Sequence, residues 1–157
     1  MSRKKSFANE VRTGLDPVYG NLHVYKLINA VMLDGKKAIA EGIVYGAFKI
    51  VEENLKKNPL EVFLDAMENI RPLMEVRSRR IGGATYQIPV EVRTLRSYSL
   101  FMRWIKDEAR KRKEREMMLR LAHEIIDAYN SQGGTFKKKE NMQKMVEANR
   151  AFSHLKF

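Results

Sequence analysis

One stretch of this chain reads as β, and the helical remainder has to be arranged around it. From Ile70 to Arg96 the sequence runs IRPLMEVRSRRIGGATYQIPVEVRTLR, two arms on either side of Gly82-Gly83. Each arm alternates with period two, the pattern of a strand. On the first, Met74, Val76 and Ser78 take one side and Glu75, Arg77 and Arg79 the other. On the second, Tyr86, Ile88 and Val90 alternate with Thr85, Gln87, Pro89 and Glu91. A hairpin over residues 73–91 follows.

Two registers are open to it. A two-residue Gly82-Gly83 turn sets Arg77 opposite Ile88 and Glu75 opposite Val90, mixing polar and apolar side chains on each face. A three-residue Ile81-Gly82-Gly83 loop sets Met74 opposite Val90, Val76 opposite Ile88 and Ser78 opposite Tyr86. The second register collects one apolar face and one polar face of Glu75, Arg77, Arg79 and Gln87, so it is the one expected. Such a loop needs a residue with positive φ, which either glycine supplies. Pro89 removes a ladder donor, which an edge strand tolerates. An isolated two-stranded ribbon is marginal in water. Arg71, Arg77, Arg79, Arg80, Arg93 and Arg96 against Glu75 and Glu91 read as a basic finger for a polyanion, its apolar base docked on helices. The plainer reading is a ribbon with a solvated basic back.

Around the ribbon the apolar spacing becomes helical. Val24, Leu27, Ile28 and Val31 recur at i, i+3, i+4 and i+7, widened by Leu22 and Met32, which suggests a central, well-buried first helix. Asp34-Gly35 breaks it. A second helix runs to Leu55 with Ile39, Ile43, Ala47 and Ile50 as its core stripe. Its Gly42 and Gly46 each cost roughly 1 kcal/mol against Ala, which close helix packing would offset. Asn58-Pro59 caps and opens a third helix lined by Leu60, Phe63, Leu64, Met67 and Ile70. After the ribbon, a fourth helix from Thr94 to Arg112 carries a seam of Leu95, Tyr98, Met102, Ile105 and Ala109, broadened by Phe101 and Trp104. Beside it runs a basic stripe of Arg96, Arg103 and Arg110. A fifth helix spans about 116–131, stopped by Gly133-Gly134, and a sixth begins at Lys137-Lys138-Lys139. The expected fold is mainly α: a single domain, 1–157, of about six helices with a protruding two-stranded hairpin between the third and fourth.

Charge narrows the function. Thirty Lys and Arg against 19 Asp and Glu leave a net charge of +11 on 157 residues. That excess costs self-repulsion, and a polyanionic partner explains it. The segment 1–20 reads as a basic arm, with Arg3, Lys4, Lys5 and Arg12 opposed only by Glu10. Lys36 and Lys37 fall in the first turn of the second helix, where open amide groups and two cations suit a phosphate; the Gly35-Lys36-Lys37 run is no nucleotide-binding loop. Arg110, Lys111, Arg112, Lys113 and Arg115 put five cations into six residues at a helix end, an exposed corner able to press on phosphates.

Enzyme chemistry finds no foothold. The chain has no cysteine, so neither a disulfide nor a thiolate metal site is available. His23, His123 and His154 lack metal-ligand spacing, and His123-Glu124 lacks the second histidine of a zinc-peptidase motif. No cofactor or metal is expected. No segment reaches the roughly 20 apolar residues of a membrane span, and the N-terminus has no apolar signal core, so a cytoplasmic protein with no membrane partner is expected.

Specific motifs carry the reading further. VRSRRIGGATYQIPVEVR (Val76 to Arg93), preceded by ENIRP (Glu68 to Pro72), resembles the bacterial small-subunit ribosomal protein seven family. So do LDGKKAIAEGIVYGA (Leu33 to Ala47), RWIKDEARKR (Arg103 to Arg112) and EANRAFSH (Glu147 to His154), in the family's order and across essentially the whole chain. The resemblance implies a helical bundle with a β-ribbon between helices three and four. It implies a primary binder of 16S rRNA that docks at a junction in the 3′ major domain and nucleates assembly of the head. The family lies at the subunit interface near the decoding centre, its ribbon beside the exit-site tRNA. Its protein neighbours are small-subunit proteins nine and eleven, with thirteen and nineteen as further candidates. Some members also bind their own operon's mRNA as repressors.

Carried onto this chain, the implied rRNA surface is Arg3, Lys4, Lys5, Lys36, Lys37, Arg77, Arg79, Arg80, Arg96, Arg103, Arg110, Lys111, Arg112, Lys113 and Arg115. The implied tRNA-facing tip holds Arg79, Arg80, Gly82, Gly83 and Tyr86. The sequence departs from the family at Lys113-Glu114-Arg115-Glu116, where a glycine-containing loop is implied, which bears on the length of the fifth helix. The alternative is a helical DNA-binding regulator using Arg103 and Arg110 on a recognition helix; it has no need of the ribbon.

Overall fold

The computed structural model describes residues 14–155. Six α-helices and one antiparallel hairpin follow in the order α1 (Leu22–Val31), α2 (Lys37–Leu55), α3 (Pro59–Ile70), β1 (Met74–Ile81), β2 (Ala84–Glu91), α4 (Thr94–Lys111), α5 (Met117–Tyr129) and α6 (Gly133–Ala148). A 3-10 helix, Arg150–Leu155, ends the described residues. The hairpin stands between the third and fourth helices, as expected.

Local chemistry explains where the helices begin. Asn21 Oδ1 accepts from the amides of His23 and Val24 at the start of α1. Asn58 Oδ1 accepts from Leu60 N–H at the start of α3, ahead of Pro59 in the first turn. Just before α1, Asp16 is buried and its Oδ2 accepts from Val18 and Tyr19 N–H, while its Oδ1 accepts from the Tyr45 hydroxyl on α2. Burial and the neighbouring Asp16 carboxylate push the Tyr45 hydroxyl well above its usual range. Residues 14–20 thus form a turn pinned to α2; the remainder of the basic arm, with Arg3, Lys4, Lys5 and Arg12, lies outside the described residues.

The centre of the bundle is α5, which packs against α2, α3, α4 and α6. The expectation that α1 would be central is corrected: among the described residues it rests chiefly on α2 and α4, although Val24, Leu27, Ile28 and Val31 are its buried stripe as read. An aromatic chain of Tyr19, Phe48, Phe63 and Phe101, with ring centroids 5.2, 5.4 and 5.8 Å apart, ties α2, α3 and α4 together. On α2 the buried set is Ala40, Val44, Ala47, Phe48 and Val51, one residue round from the expected stripe, and Ile39 is 60% exposed. On α4, Leu95 is likewise exposed, and Ser97 and Leu100 join Phe101, Met102, Trp104, Ile105 and Ala109 in the interior. Gly46 does permit close packing, since a Cβ there would strike the Met118 side chain of α5; nothing lies within 4 Å of such a Cβ at Gly42.

The hairpin takes the register that was not expected. Glu75 pairs with Val90, Arg77 with Ile88, Arg79 with Tyr86 and Ile81 with Ala84, so Gly82-Gly83 is a two-residue turn. Both glycines have positive φ, 57° and 85°, as the turn that matches strand twist requires. The sorted apolar face therefore does not exist. Instead Glu75 is buried together with Ile88 on one side, and Pro89 is buried on the other. The base of β1 contacts α6, and β2 contacts the terminal 3-10 helix.

The sixth helix also starts earlier than expected. Gly133, with φ 84°, admits the chain, and a Cβ at Gly134 would meet the Glu108 carboxylate. Lys137, Lys138 and Lys139 therefore fall in the second turn of α6 and not at its start.

Candidate nucleic-acid interface

At the root of the hairpin a buried carboxylate organises two arginines. Glu75 is 4% exposed. Arg77, two residues along the same strand, donates from Nε to Glu75 Oε1 at 2.9 Å. Arg96, in the first turn of α4, donates from Nε to both oxygens at 3.0 Å and from Nη2 to Oε2 at 2.9 Å. Burial pushes the Glu75 carboxyl up, but the hydrogen bonds from Arg96 and Arg77 outweigh it and hold the group below the usual carboxylate range. Arg77 and Arg96, their side chains about half exposed, line an open cleft with Val90, Arg93, Thr94 and Leu95. Arg93 caps α4 through its backbone, and its side chain is exposed.

The turn end of the ribbon is braced on one side. Arg79 donates to the Leu155 carbonyl at 2.8 Å, and the Tyr86 ring sits 5.3 Å from Phe152. Arg80, Gly82 and Gly83 remain exposed.

Two more basic areas lie on the helical body. Lys36 and Lys37 are exposed at the start of α2, with Lys37 Nζ 4.9 Å over the Tyr25 ring. No side chain caps that helix. Between α1 and α4, Arg103 shares a shallow groove with Lys26, Asn29 and Lys106. Lys26 and Lys106 were missed by sequence reasoning; Lys106 lies one helical turn beyond Arg103, and reading the basic stripe at three-residue as well as seven-residue spacing would have found it.

The α4–α5 corner divides its five cations. Arg110 donates to the Val31 carbonyl at 3.3 Å, and Lys111 bridges to Glu108 at 2.8 Å. Arg112 points inward: its Nη1 donates to Glu124 Oε2 and Asp127 Oδ2, each at 2.8 Å, and its Nε to Glu114 Oε1 at 3.2 Å. Glu124, 1% exposed, also accepts from Thr135 N–H at 2.9 Å and Thr135 Oγ1 at 2.6 Å, serving the open first turn of α6. Lys113 and Arg115 stay exposed, with no ion pair among the described residues. Residues 112–116 form the connection here, and α5 begins at Met117.

The pattern is consistent across the molecule. Buried acids draw some cations inward, and the remaining cations face out from several separate places. Among the described residues no cluster of histidine and acidic side chains is placed to hold a metal ion, and no helix is long and apolar enough to cross a membrane.

Comparison with known proteins bears on this surface. The sequence model of the family described as "Ribosomal protein S7p/S5e" matches residues 2–150. Small ribosomal subunit protein uS7 of Mesomycoplasma hyopneumoniae (strain 7448) is 56% identical over 158 residues, covering 100% of both chains. The uS7 protein of Thermotoga neapolitana is 58% identical over 142 residues, 90% of this chain and 92% of its own. That of Polynucleobacter asymbioticus is 53% identical over 142 residues, 90% of this chain and 91% of its own.

Proposed function

Since the chain belongs to the ribosomal protein S7p/S5e family, we propose that it is a primary 16S rRNA-binding protein that docks in the 3′ major domain and nucleates assembly of the small-subunit head. It is a component of the small ribosomal subunit in the cytoplasm, with a structural and not a catalytic part in translation. In the proposed role its work is positioning. Lys and Arg displace counterions from packed phosphates, and the rigid helical body fixes how rRNA helices meet.

The observation that supports this most is the division of charge just described. Glu75, Glu108, Glu114, Glu124 and Asp127 are engaged in ion pairs, while Lys36, Lys37, Arg80, Arg93, Lys113 and Arg115 are exposed with no ion pair among the described residues. Lys36 and Lys37, the Lys26–Arg103–Lys106 groove, the Arg77–Arg93–Arg96 cleft, Arg80, and Lys113 with Arg115 form the contact set. Arg112 supports the corner from within. The turn of the ribbon, around Arg80, Gly82 and Gly83, faces exit-site tRNA at the subunit interface, and small-subunit proteins nine and eleven are neighbours. Binding of the protein's own message follows the same phosphate chemistry. The DNA-regulator reading fits less well, because Arg110 is engaged with the Val31 carbonyl beside the would-be recognition face.

Binding of purified protein to a 3′ major-domain junction fragment, across a salt series, tests the proposal. The junction is expected to win over arbitrary duplex at moderate ionic strength. Replacing Lys36 and Lys37 with Ala should lower the salt slope by about 1.5, two phosphates' worth. Equal affinity for arbitrary duplex would reject the proposal, and an unchanged slope would remove these lysines from the surface.

A further inference from the structure

We propose that Glu75 is a positioning residue for RNA recognition, holding Arg77 of the ribbon and Arg96 of α4 in one fixed array across the cleft at the hairpin root. The inference rests on the rRNA-binding reading above.

A buried acid beneath a basic cleft would ordinarily weaken phosphate binding, so its presence needs a reason. Fold stability alone is a weak one, because a buried carboxylate is costly and an apolar side chain beside Ile88 would fill the space. The geometry suggests another. Glu75 engages the inner edges of both guanidiniums and leaves their outer edges open. Arg77 uses only Nε toward it, so both of its terminal nitrogens have no hydrogen-bond partner among the described residues. Arg96 uses Nε and Nη2, leaving Nη1. The carboxylate also joins two elements that are separate in sequence, the first strand and the fourth helix, so it ties the ribbon to the body at its root. The exposed Glu91 lies in the same cleft and has no ion pair among the described residues, which makes it a matched control for charge.

Charge counting and positioning predict opposite signs. Glu75→Gln and Glu91→Gln each raise the net charge by one, so electrostatics alone has both tighten RNA binding. Positioning has Glu91→Gln tighten binding slightly or leave it alone, and Glu75→Gln weaken it about tenfold, since two arginines must now be ordered on binding. The salt slope of Glu75→Gln should stay at the wild-type value, because the same phosphates are met. Glu75→Asp keeps the charge but is one methylene too short to reach both guanidiniums. It should also weaken binding at an unchanged slope, and it provides the measurement if Glu75→Gln does not fold.

The experiment is binding of the full chain to the 3′ major-domain junction fragment across a salt series. Weaker binding by the Glu75 variants with Glu91→Gln unaffected or tighter supports the inference. Tighter or equal binding by them, with wild type still preferring the junction, overturns the positioning role and leaves the rRNA reading intact. Wild type without that preference overturns both.

Discussion

Glu75 at the hairpin root and Glu124 beneath the α4–α5 corner are both closed off from solvent and both held by arginine, yet the two clusters use charge in opposite ways. At the root, one carboxylate meets two arginines whose outer edges remain in water. At the corner, one arginine meets three carboxylates and is only 24% exposed. The first cluster has cation to spare and presents it. The second has none to spare and uses Arg112 to neutralise a buried acid that also serves the start of α6. An arginine in a basic run is therefore not by itself a phosphate contact; what decides is the number of acids folded against it.

The largest effect that could break this contrast belongs to Arg112→Ala. Removing the cation leaves Glu124 buried without its ion-pair partner, and a broken buried pair costs about 3 kcal/mol, near the low end of the range because Arg112 keeps some solvent. The denaturant midpoint should fall accordingly, while the folded fraction binds RNA within roughly twofold of wild type. A large loss of affinity at little cost in stability would mean that Arg112 presents its charge after all. Arg93→Ala sharpens the comparison from the other side. Arg93 is exposed and makes no ion pair among the described residues, so stability should stay within about 0.5 kcal/mol. Affinity should fall roughly fivefold, and the salt slope by about 0.7–0.9, if one phosphate is lost. An unchanged slope would take Arg93 out of the contact set.

These two clusters also mark how far the sequence could be read. Element order, the place of the hairpin and the buried stripe of α1 were legible, because periodicity and turn residues encode them directly. The hairpin register was not. Alternation alone allows either pairing, and the sorting rule assumed that Glu75 faces water; the two positive-φ glycines and a carboxylate able to bury itself between Arg77 and Arg96 decided otherwise. The α2 stripe slipped by one residue because apolar side chains occur on several sides of that helix, and packing against α1, α3 and α5 selected Ala40, Val44, Ala47, Phe48 and Val51 over the bulkier Ile39. The basic corner was visible as composition, but its internal pairing depends on Glu124, Asp127 and Thr135, which approach Arg112 only after α5 and α6 fold back. Arg3, Lys4 and Lys5 lie outside the described residues.

Acid should act on the corner through Glu114. Its carboxyl is drawn down to about 2 from the ordinary 4.5, first by the hydrogen bond with the His123 ring at 2.8 Å, then by its own backbone amide and by Arg112. A carboxyl with a lowered value in the fold takes up its proton more readily when unfolded. Its contribution to stability is therefore complete above 4.5 and is lost as the pH falls toward 2. Glu114→Gln cannot titrate there, so its denaturation midpoint should change less than that of wild type between about pH 5 and about pH 3. The carboxyl of Glu75, also held low, keeps its share of the acid sensitivity in this variant, so the slope should be reduced and not abolished. If the acid limb of Glu114→Gln matched wild type throughout, the corner would not depend on charged Glu114, and the claim that its acids consume the cation of Arg112 would lose one of its three carboxylates.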